Sequence, residues 1–177
     1  HHIKSPLAMI DRTCQACHRE SEETLRKDVY ERQNKVYAIR MRVEEELTKA
    51  HIEAKFAWDK GATESQMKNV LKLLRQAQWR WDFAVASHGA AFHAPQEVTR
   101  ILGSGLDKST QARIQIIAQL GYTQDVPMPD ISTKAKAQQY IGLDMEAEQQ
   151  AKQKFLETVI PQWQEEARAN KRFIEGN

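Results

Sequence analysis

Residues 21–61 read SEETLRKDVYERQNKVYAIRMRVEEELTKAHIEAKFAWDKG, and this stretch constrains the architecture more than any other. Ser21 can cap a helix, and the acidic residues that follow it suit the positive end of a helix dipole. Gly61 is a good residue just past a helix end. Apolar residues recur in steps of three, four or seven at Leu25, Val29, Val36, Ile39, Val43, Leu47, Ala50, Ala54 and Ala57. The pattern predicts one helix of about 38 residues, roughly 57 Å long at 1.5 Å per residue.

A helix of this length is unusual, since the average is about 11–12 residues. It cannot bury its whole length against its own short domain, so we expect it to pack against another helix or another subunit. The opposite face carries charged side chains and is expected to face water. Those residues are Arg26, Arg32, Arg40, Glu44 and Glu45.

Two further helices are predicted in the middle of the chain. One spans residues 63–89 and opens with Thr-x-x-Gln, the form of a capping box. The next spans residues 95–121 and begins with proline, which suits the first helical turn. Gly103 and Gly105 lie inside it and predict a bend or a close approach of backbone.

The last third of the chain begins with an extended loop, predicted over Tyr122–Ile131 from its two prolines. A short helical piece follows from Ser132. Asp144 then caps a final helix that runs towards Phe173, and Pro161 is expected to kink it. Strand-like alternation is absent throughout, so the sequence predicts an all-α fold.

Composition excludes several classes of function. The 177 residues are 41% hydrophobic and 28% charged, with 26 basic against 24 acidic side chains and a net charge of +2. This near-balance gives no case for nucleic-acid binding. No apolar run approaches the ~20 residues that span a bilayer, and no signal peptide is visible. The start at His1-His2 without Met predicts a processed product or a fragment, with a tag remnant as the alternative.

Cys14, Cys17 and His18 form Cys-x-x-Cys-His, the pattern of covalent haem attachment. Two thiols at this spacing can form thioethers with the two vinyl groups of one porphyrin, and the adjacent imidazole can bind the iron as proximal axial ligand. A disulfide across so short a loop would stabilise little. A redox pair would need a βαβ context, and a zinc site would need two more ligands. The motif therefore favours haem.

Other histidines are candidate ligands. His93 lies between two predicted helices, where a loop can deliver an imidazole to a metal; alternatively it is an ordinary turn histidine. His88 is either a second axial ligand or a helix C-terminal histidine. His51 lies inside the first helix and is interpreted as structural. The cluster Trp79-Arg80-Trp81 is interpreted as core packing, although tryptophan can also flank a porphyrin.

No Ser-His-Asp set, phosphate loop or carboxylate pair stands out from the surface charges. Any substrate chemistry must therefore come from haem iron or from residues outside this chain, and no catalytic residue is predicted within it.

Several blocks, taken together and in this order, resemble the pentahaem, ammonia-forming cytochrome c nitrite reductases, over essentially the whole chain. They are His1-x-x-x-Ser5-Pro6-Leu7, Thr13-Cys14-x-x-Cys17-His18, Gly61-Ala62-Thr63-Glu64, Gln76-Ala77-Gln78-Trp79-Arg80-Trp81-Asp82, Ser87-His88-Gly89, His93-Ala94-Pro95, Pro129-Asp130-Ile131-Ser132-Thr133-Lys134 and Val159-Ile160-Pro161-Gln162-Trp163.

The resemblance implies a role for each matching position. Cys14, Cys17 and His18 match the attachment site of the family's fifth haem. His93 matches the distal ligand of the fourth haem, and His1 that of the second, which makes His1 native and removes the tag interpretation. His2 has no family role.

The resemblance also implies what lies upstream. The family attaches its catalytic haem through Cys-x-x-Cys-Lys, and that motif, the active-site side chains, the calcium ligands and the distal ligand of the fifth haem are not in this chain. The chain is then a C-terminal portion of a larger polypeptide. Residues 1–20 would be a haem-binding segment and residues 21–177 a helical region with long dimerisation helices, as one continuous domain with upstream sequence missing.

The implied enzyme is a periplasmic homodimer with five haems c that reduces nitrite to ammonium with six electrons. A multihaem cytochrome, membrane-bound or soluble, donates the electrons, and membrane association would come through that donor. This segment would hold an electron-relay haem. The alternative is a stand-alone c-type electron-transfer cytochrome whose His93 or His88 binds its own haem iron. A purely structural helical dimer module leaves the cysteine motif unexplained.

Overall fold

The computed structural model describes residues 4–87, 89–121 and 125–170. A single 3-10 turn, Pro6–Ala8, precedes the first long helix. The helices are α1 (Glu22–Asp59), α2 (Glu64–Ala86), α3 (Ala90–His93), α4 (Pro95–Gln119), α5 (Lys134–Tyr140) and α6 (Met145–Ala169). Within these described ranges there is no strand. The all-α prediction is confirmed.

The chain forms two compact units, His1–Val126 and Pro127–Asn177. The first holds the turn, α1, α2, α3 and α4, and the second holds α5 and α6. The functional division at residue 20 stays a prediction.

Helix α1 begins and ends where the sequence predicts. The Ser21 hydroxyl accepts a hydrogen bond from the Thr24 N–H at 3.2 Å. Gly61, just beyond the helix, has φ +88°, a left-handed conformation that glycine adopts without steric cost. Every residue of the predicted stripe is buried except Ile39, which is half-buried. The stripe packs against α4 and α2, so its partners include helices of its own unit.

The capping box at the start of α2 is confirmed, since Thr63 and Gln66 exchange hydrogen bonds reciprocally. The predicted end at Gly89 is wrong. Helix α2 stops at Ala86, and Gly89, with φ +83°, turns the chain into the separate one-turn helix α3. The buried residues of α2 are Met67, Val70, Leu73, Leu74 and Ala77.

Helix α4 is continuous, and only the second of its two glycines marks a close approach. A Cβ atom placed on Gly105 would lie 3.4 Å from Val43 Cγ1 of α1 and 3.5 Å from Arg80 Cβ of α2. Nothing lies within 4 Å of the same position on Gly103. A Cβ atom at Gly105 would thus be in ordinary van der Waals contact with two neighbouring helices, so Gly105 marks the place where α4 lies against both α1 and α2.

A buried ion pair joins α1 to α4. Glu53 is only 3% exposed. Arg113 donates from Nε and Nη2 to the Glu53 carboxylate at 2.7–3.0 Å, and from Nη1 to Glu46 at 2.7 Å. The hydrogen bonds to Glu53 raise the pKa of Arg113 above its ordinary value. Two fixed hydrogen bonds to one carboxylate also set the register of the helices.

Some sequence interpretations of side-chain environment are wrong. Trp79 is 61% exposed and stacks on Phe83, with ring centroids 5.6 Å apart, so it is not part of the core. Trp81 does pack against the core. His51 is exposed. Arg40, expected in water, is half-buried above the Tyr37 ring.

The second unit contains little buried surface. Residues 125–131 form neither helix nor strand, in agreement with the predicted loop, whose residues 122–124 lie outside the described part. Asp144 caps α6 through the N–H groups of Glu146 and Ala147 at 3.0 Å. The helix is continuous through Pro161 and ends at Ala169, short of the predicted end. No residue of α6 is buried, and its apolar side chains include exposed Phe155 and Trp163.

We predict opposite effects for leucine at the two glycines of α4. Gly105→Leu should destabilise the protein by about 1–3 kcal/mol, because the side chain would overpack the helix crossing. Gly103→Leu is the matched control and should stabilise it slightly, since glycine is a poor helix former. Thermal unfolding of the intact protein, followed by circular dichroism, measures both. Equal midpoints for the two variants would contradict the close approach.

Removing the arginine of the buried pair should be costly. Arg113→Met leaves the Glu53 carboxylate buried without its main partner, and we expect a loss of about 3 kcal/mol. The control is Arg100→Met in the same helix, which breaks an exposed pair with Glu97 and should shift the unfolding midpoint little. Similar shifts for both variants would show that Glu53 does not depend on Arg113.

Candidate functional site

The Cys-x-x-Cys-His motif lies on a hydrogen-bonded turn. The Cys17 and His18 N–H groups both donate to the Cys14 carbonyl, at 3.1 and 2.9 Å. The Thr13 hydroxyl lies 2.9 Å from the Pro6 carbonyl and 2.7 Å from that of Met9, which ties the turn to the preceding segment. The arrangement gathers both cysteines and the histidine around one carbonyl.

The segment that carries the motif contains one buried side chain among its described residues. Ile10 is 1% exposed, and its carbonyl accepts the N–H of Gln15 at 2.9 Å. The Gln15 side chain in turn donates to the Glu20 carbonyl at 3.0 Å. These contacts hold the motif just ahead of α1 without burying the motif itself.

Both thiols are free and accessible. Cys14 is half-buried and Cys17 is exposed. The His18 side chain is about half exposed, with Nδ1 3.7 Å from Glu20 Oε2, beyond hydrogen-bond distance. Each of the three groups is therefore open to a ligand.

The motif opens onto a cleft of about 550 Å³ that also contains His93. The lining residues are Pro6, Thr13, Cys14, Cys17, His18, Glu20, Leu25, Asp28, Val29, Arg32, Phe92 and His93. Sequence analysis proposed Cys14, Cys17, His18 and His93 from separate arguments, and the fold brings them to one cavity. This convergence is the main geometric feature of the site.

His93 is not in a loop, as the sequence suggested, but is the last residue of α3. Its N–H donates to the Gly89 carbonyl at 3.1 Å. Its ring lies beside that of Phe92, with centroids 4.4 Å apart and planes at 46°. A one-turn helix bounded by Gly89 therefore presents the imidazole to the cleft.

Sequence reasoning missed several charged and aromatic residues of this cleft, including Glu20 just after the motif. Asp28 and Arg32 lie one turn apart on α1, and Arg32 was expected only to face water. Phe92 was passed over, although it is an aromatic residue adjacent to a candidate ligand. Arg32 donates from Nη1 to the Phe92 carbonyl at 3.1 Å. The adjacency of Phe92 and His93 was the one signal available in the sequence.

The remaining histidines are His1, His2, His51 and His88. His1, His2 and His88 lie outside the described residues. His51 lines a different groove of about 640 Å³ between α1 and α2, together with Trp58, Leu71 and Trp79. It is not among the residues of the haem-motif cleft.

Two kinds of feature are absent from the described residues. In that part of the chain no group of three or more His, Cys, Asp or Glu side chains is arranged to hold a metal ion. No described helix combines the length and the apolar character needed to cross a membrane.

The cleft fits a porphyrin. Its volume falls in the range of about 300–1,000 Å³ that is typical of cofactor pockets. Pro6, Leu25, Val29 and Phe92 supply apolar surface, while the thiols and imidazole supply the groups for attachment and iron binding. A haem bound here supplies one-electron iron chemistry.

Comparison with known proteins gives a family match over most of the chain. The sequence profile of the family described as cytochrome c552 matches residues 1–171. Cytochrome c-552 of Parabacteroides distasonis is 74% identical over 176 residues, which cover 98% of this chain and 36% of that protein. Cytochrome c-552 of Bacteroides fragilis is 73% identical, again over 98% of this chain and 36% of that protein. That of Porphyromonas gingivalis is 64% identical, over 95% of this chain and 34% of its own length. The chain spans about a third of the curated relatives it matches.

Proposed function

Because this chain belongs to the cytochrome c552 family, we propose that it is the C-terminal portion of a pentahaem, ammonia-forming cytochrome c nitrite reductase. The chain is a c-type cytochrome, and the family implies covalent haem c. The observation that carries the proposal is the turn that gathers Cys14, Cys17 and His18, with both thiols free, in a family member that spans about a third of its relatives.

Three residues hold the haem of this segment. The thiols of Cys14 and Cys17 would add across the two vinyl groups, so that sulfur bonds to one vinyl carbon, the thiol hydrogen goes to the other, and the double bond becomes single. His18 binds the iron as proximal ligand through its imidazole. The accessibility of both thiols supports this role, since each must reach a porphyrin edge.

His93 and His1 serve other haems as distal ligands in this proposal. The exposed imidazole of His93 lies at the cleft where a second haem can approach the first. His1 lies outside the described residues, and its role rests on the sequence resemblance. An iron with histidine on both sides leaves no position for substrate, so this segment relays electrons.

The substrate chemistry then belongs to sequence outside these 177 residues. We propose that the full protein reduces nitrite to ammonium with six electrons at a Cys-x-x-Cys-Lys haem, with calcium bound nearby. The share of about a third of each curated relative supports this division, because most of those proteins has no counterpart in this chain.

A homodimer through the long helices is the proposed assembly. Large apolar side chains remain exposed along α1 and α2, among them Trp58, Leu71, Trp79 and Phe83. An exposed aromatic surface of this kind is typical of a protein interface. The proposed location is the periplasm, and the proposed electron donor is another multihaem cytochrome, membrane-bound or soluble.

One observation favours the alternative of a stand-alone electron-transfer cytochrome. His93 lines the same cleft as His18, so both could bind the iron of a single haem. The mass of the denatured native protein and its haem content distinguish the two functions. A long chain with five covalent haems supports the nitrite reductase; a short chain with one haem supports the electron-transfer cytochrome.

Cys17→Ser should leave one vinyl group unattached. The remaining vinyl stays conjugated with the porphyrin, so the α band of the pyridine haemochrome should move to longer wavelength for this haem. Gln15→Ala, in the same turn, keeps both thiols and should leave the band unchanged. An unaltered band in Cys17→Ser would rule out attachment at this residue.

His93→Ala should remove an axial ligand and convert one haem from low spin to high spin, with new binding of cyanide. Electron paramagnetic resonance of the ferric protein measures the change, and His51→Ala is the control outside the cleft. Repeating His93→Ala with Cys14 and Cys17 both changed to serine shows which haem has lost its axial ligand. A high-spin signal that persists belongs to another haem, as proposed; one that disappears belongs to the haem of this segment.

A further inference from the structure

The C-terminal end of α3 needs a hydrogen-bond donor from elsewhere in the fold. The last carbonyl groups of any helix lack intrahelical partners, and a helix of four residues consists almost entirely of such ends. Pro95 follows closely and has no N–H to donate. The Phe92 carbonyl, adjacent to the candidate ligand His93, is one of these end groups, and a side chain from elsewhere in the fold can supply its donor.

Arg32 is that side chain. Its Nη1 donates to the Phe92 carbonyl at 3.1 Å, across 60 residues of sequence. It extends from α1 between Val29 and Val36, both of which are buried, so its own backbone is held by the core. A donor fixed on a long helix restrains a short helix that has little stability of its own.

The ring contacts transmit this restraint to the imidazole. Phe92 and His93 are packed ring against ring at 4.4 Å, and both line the haem-motif cleft together with Arg32. A shift of the Phe92 carbonyl would therefore move the His93 ring relative to the cleft. At the other end of α3, Gly89 adopts φ +83° and lies beside the Phe92 ring.

We propose that Arg32 is a positioning residue for His93. By holding α3, Arg32 keeps the imidazole of His93 directed at the iron of the haem that His93 serves. The inference rests on the proposed function of His93 as an axial ligand. It assigns Arg32 a role through the Phe92 backbone, without contact between Arg32 and the iron. If Arg32 instead only neutralised a haem carboxylate, its replacement would alter the reduction potential of that haem and leave ligand exchange unchanged.

The test uses the full-length, haem-loaded protein with Arg32→Met and Arg32→Lys. Cyanide binding to the ferric protein is titrated, and the binding that each variant shows in excess of wild type is compared. The low-spin electron paramagnetic resonance signal is recorded alongside. Loss of one charge-assisted hydrogen bond should make His93 displacement about ten-fold more favourable in Arg32→Met. Arg32→Lys keeps a charged donor and should restore part of the wild-type behaviour. Arg42→Met, an exposed arginine on the same helix, is the matched control and should resemble wild type.

Each other result decides against the inference. Wild-type cyanide binding in Arg32→Met, while His93→Ala opens the iron, overturns the positioning role and leaves the ligand role of His93 intact. Wild-type behaviour in His93→Ala overturns the ligand role first. A fall in helical content and unfolding midpoint in Arg32→Met comparable to that of Arg113→Met would assign its effect to general destabilisation and also overturn the proposal.

Discussion

The burial of one face of α1 is the constraint on which the rest of the first unit depends. That face is continuous from Leu25 to Ala57, and its partners change along its length. Near its C-terminal end it packs with α2 and the end of α4 around Met67 and Ile116. Its middle meets the start of α4 around Leu102. Its first turns form a wall of the haem-motif cleft. One helix thus connects the core to the site.

This arrangement explains why the fold was largely predictable. The stripe of α1, the capping box at Thr63 and the cap at Asp144 are local patterns, and local patterns can be read from adjacent residues. The predictions that were wrong concern features that tertiary packing determines, such as which side chains are buried and where a helix ends. Trp79 looks like a core residue near Trp81, but helix positions two residues apart point about 200° apart, and only Trp81 packs against the core. Gly89 was taken as a helix end when it in fact starts another turn.

The site was predictable in its chemistry more than in its construction. The spacing of Cys14, Cys17 and His18 is enough to find them, because covalent haem attachment requires that spacing. Nothing local to His93 indicates that it shares a cavity with them, and nothing local to Arg32 indicates its bond to the Phe92 carbonyl. Both relations join residues far apart in sequence, and they exist only once α1 and α3 are in contact.

The spacing of the buried residues in α4 has a consequence for changes in chain length. Val98, Leu102, Gly105, Ser109, Ala112 and Ile116 alternate in steps of four and three, a repeat of seven residues in every two turns. In α1, Val43, Leu47, Ala50, Ala54 and Ala57 follow the same repeat, with Ile52 and Glu53 buried beside it. A seven-residue period favours left-handed winding of helices about one another. An insertion of one residue would rotate everything beyond it by about 100°, whereas an insertion of seven would restore the seam. Lineages that lengthen this bundle should therefore do so in whole heptads.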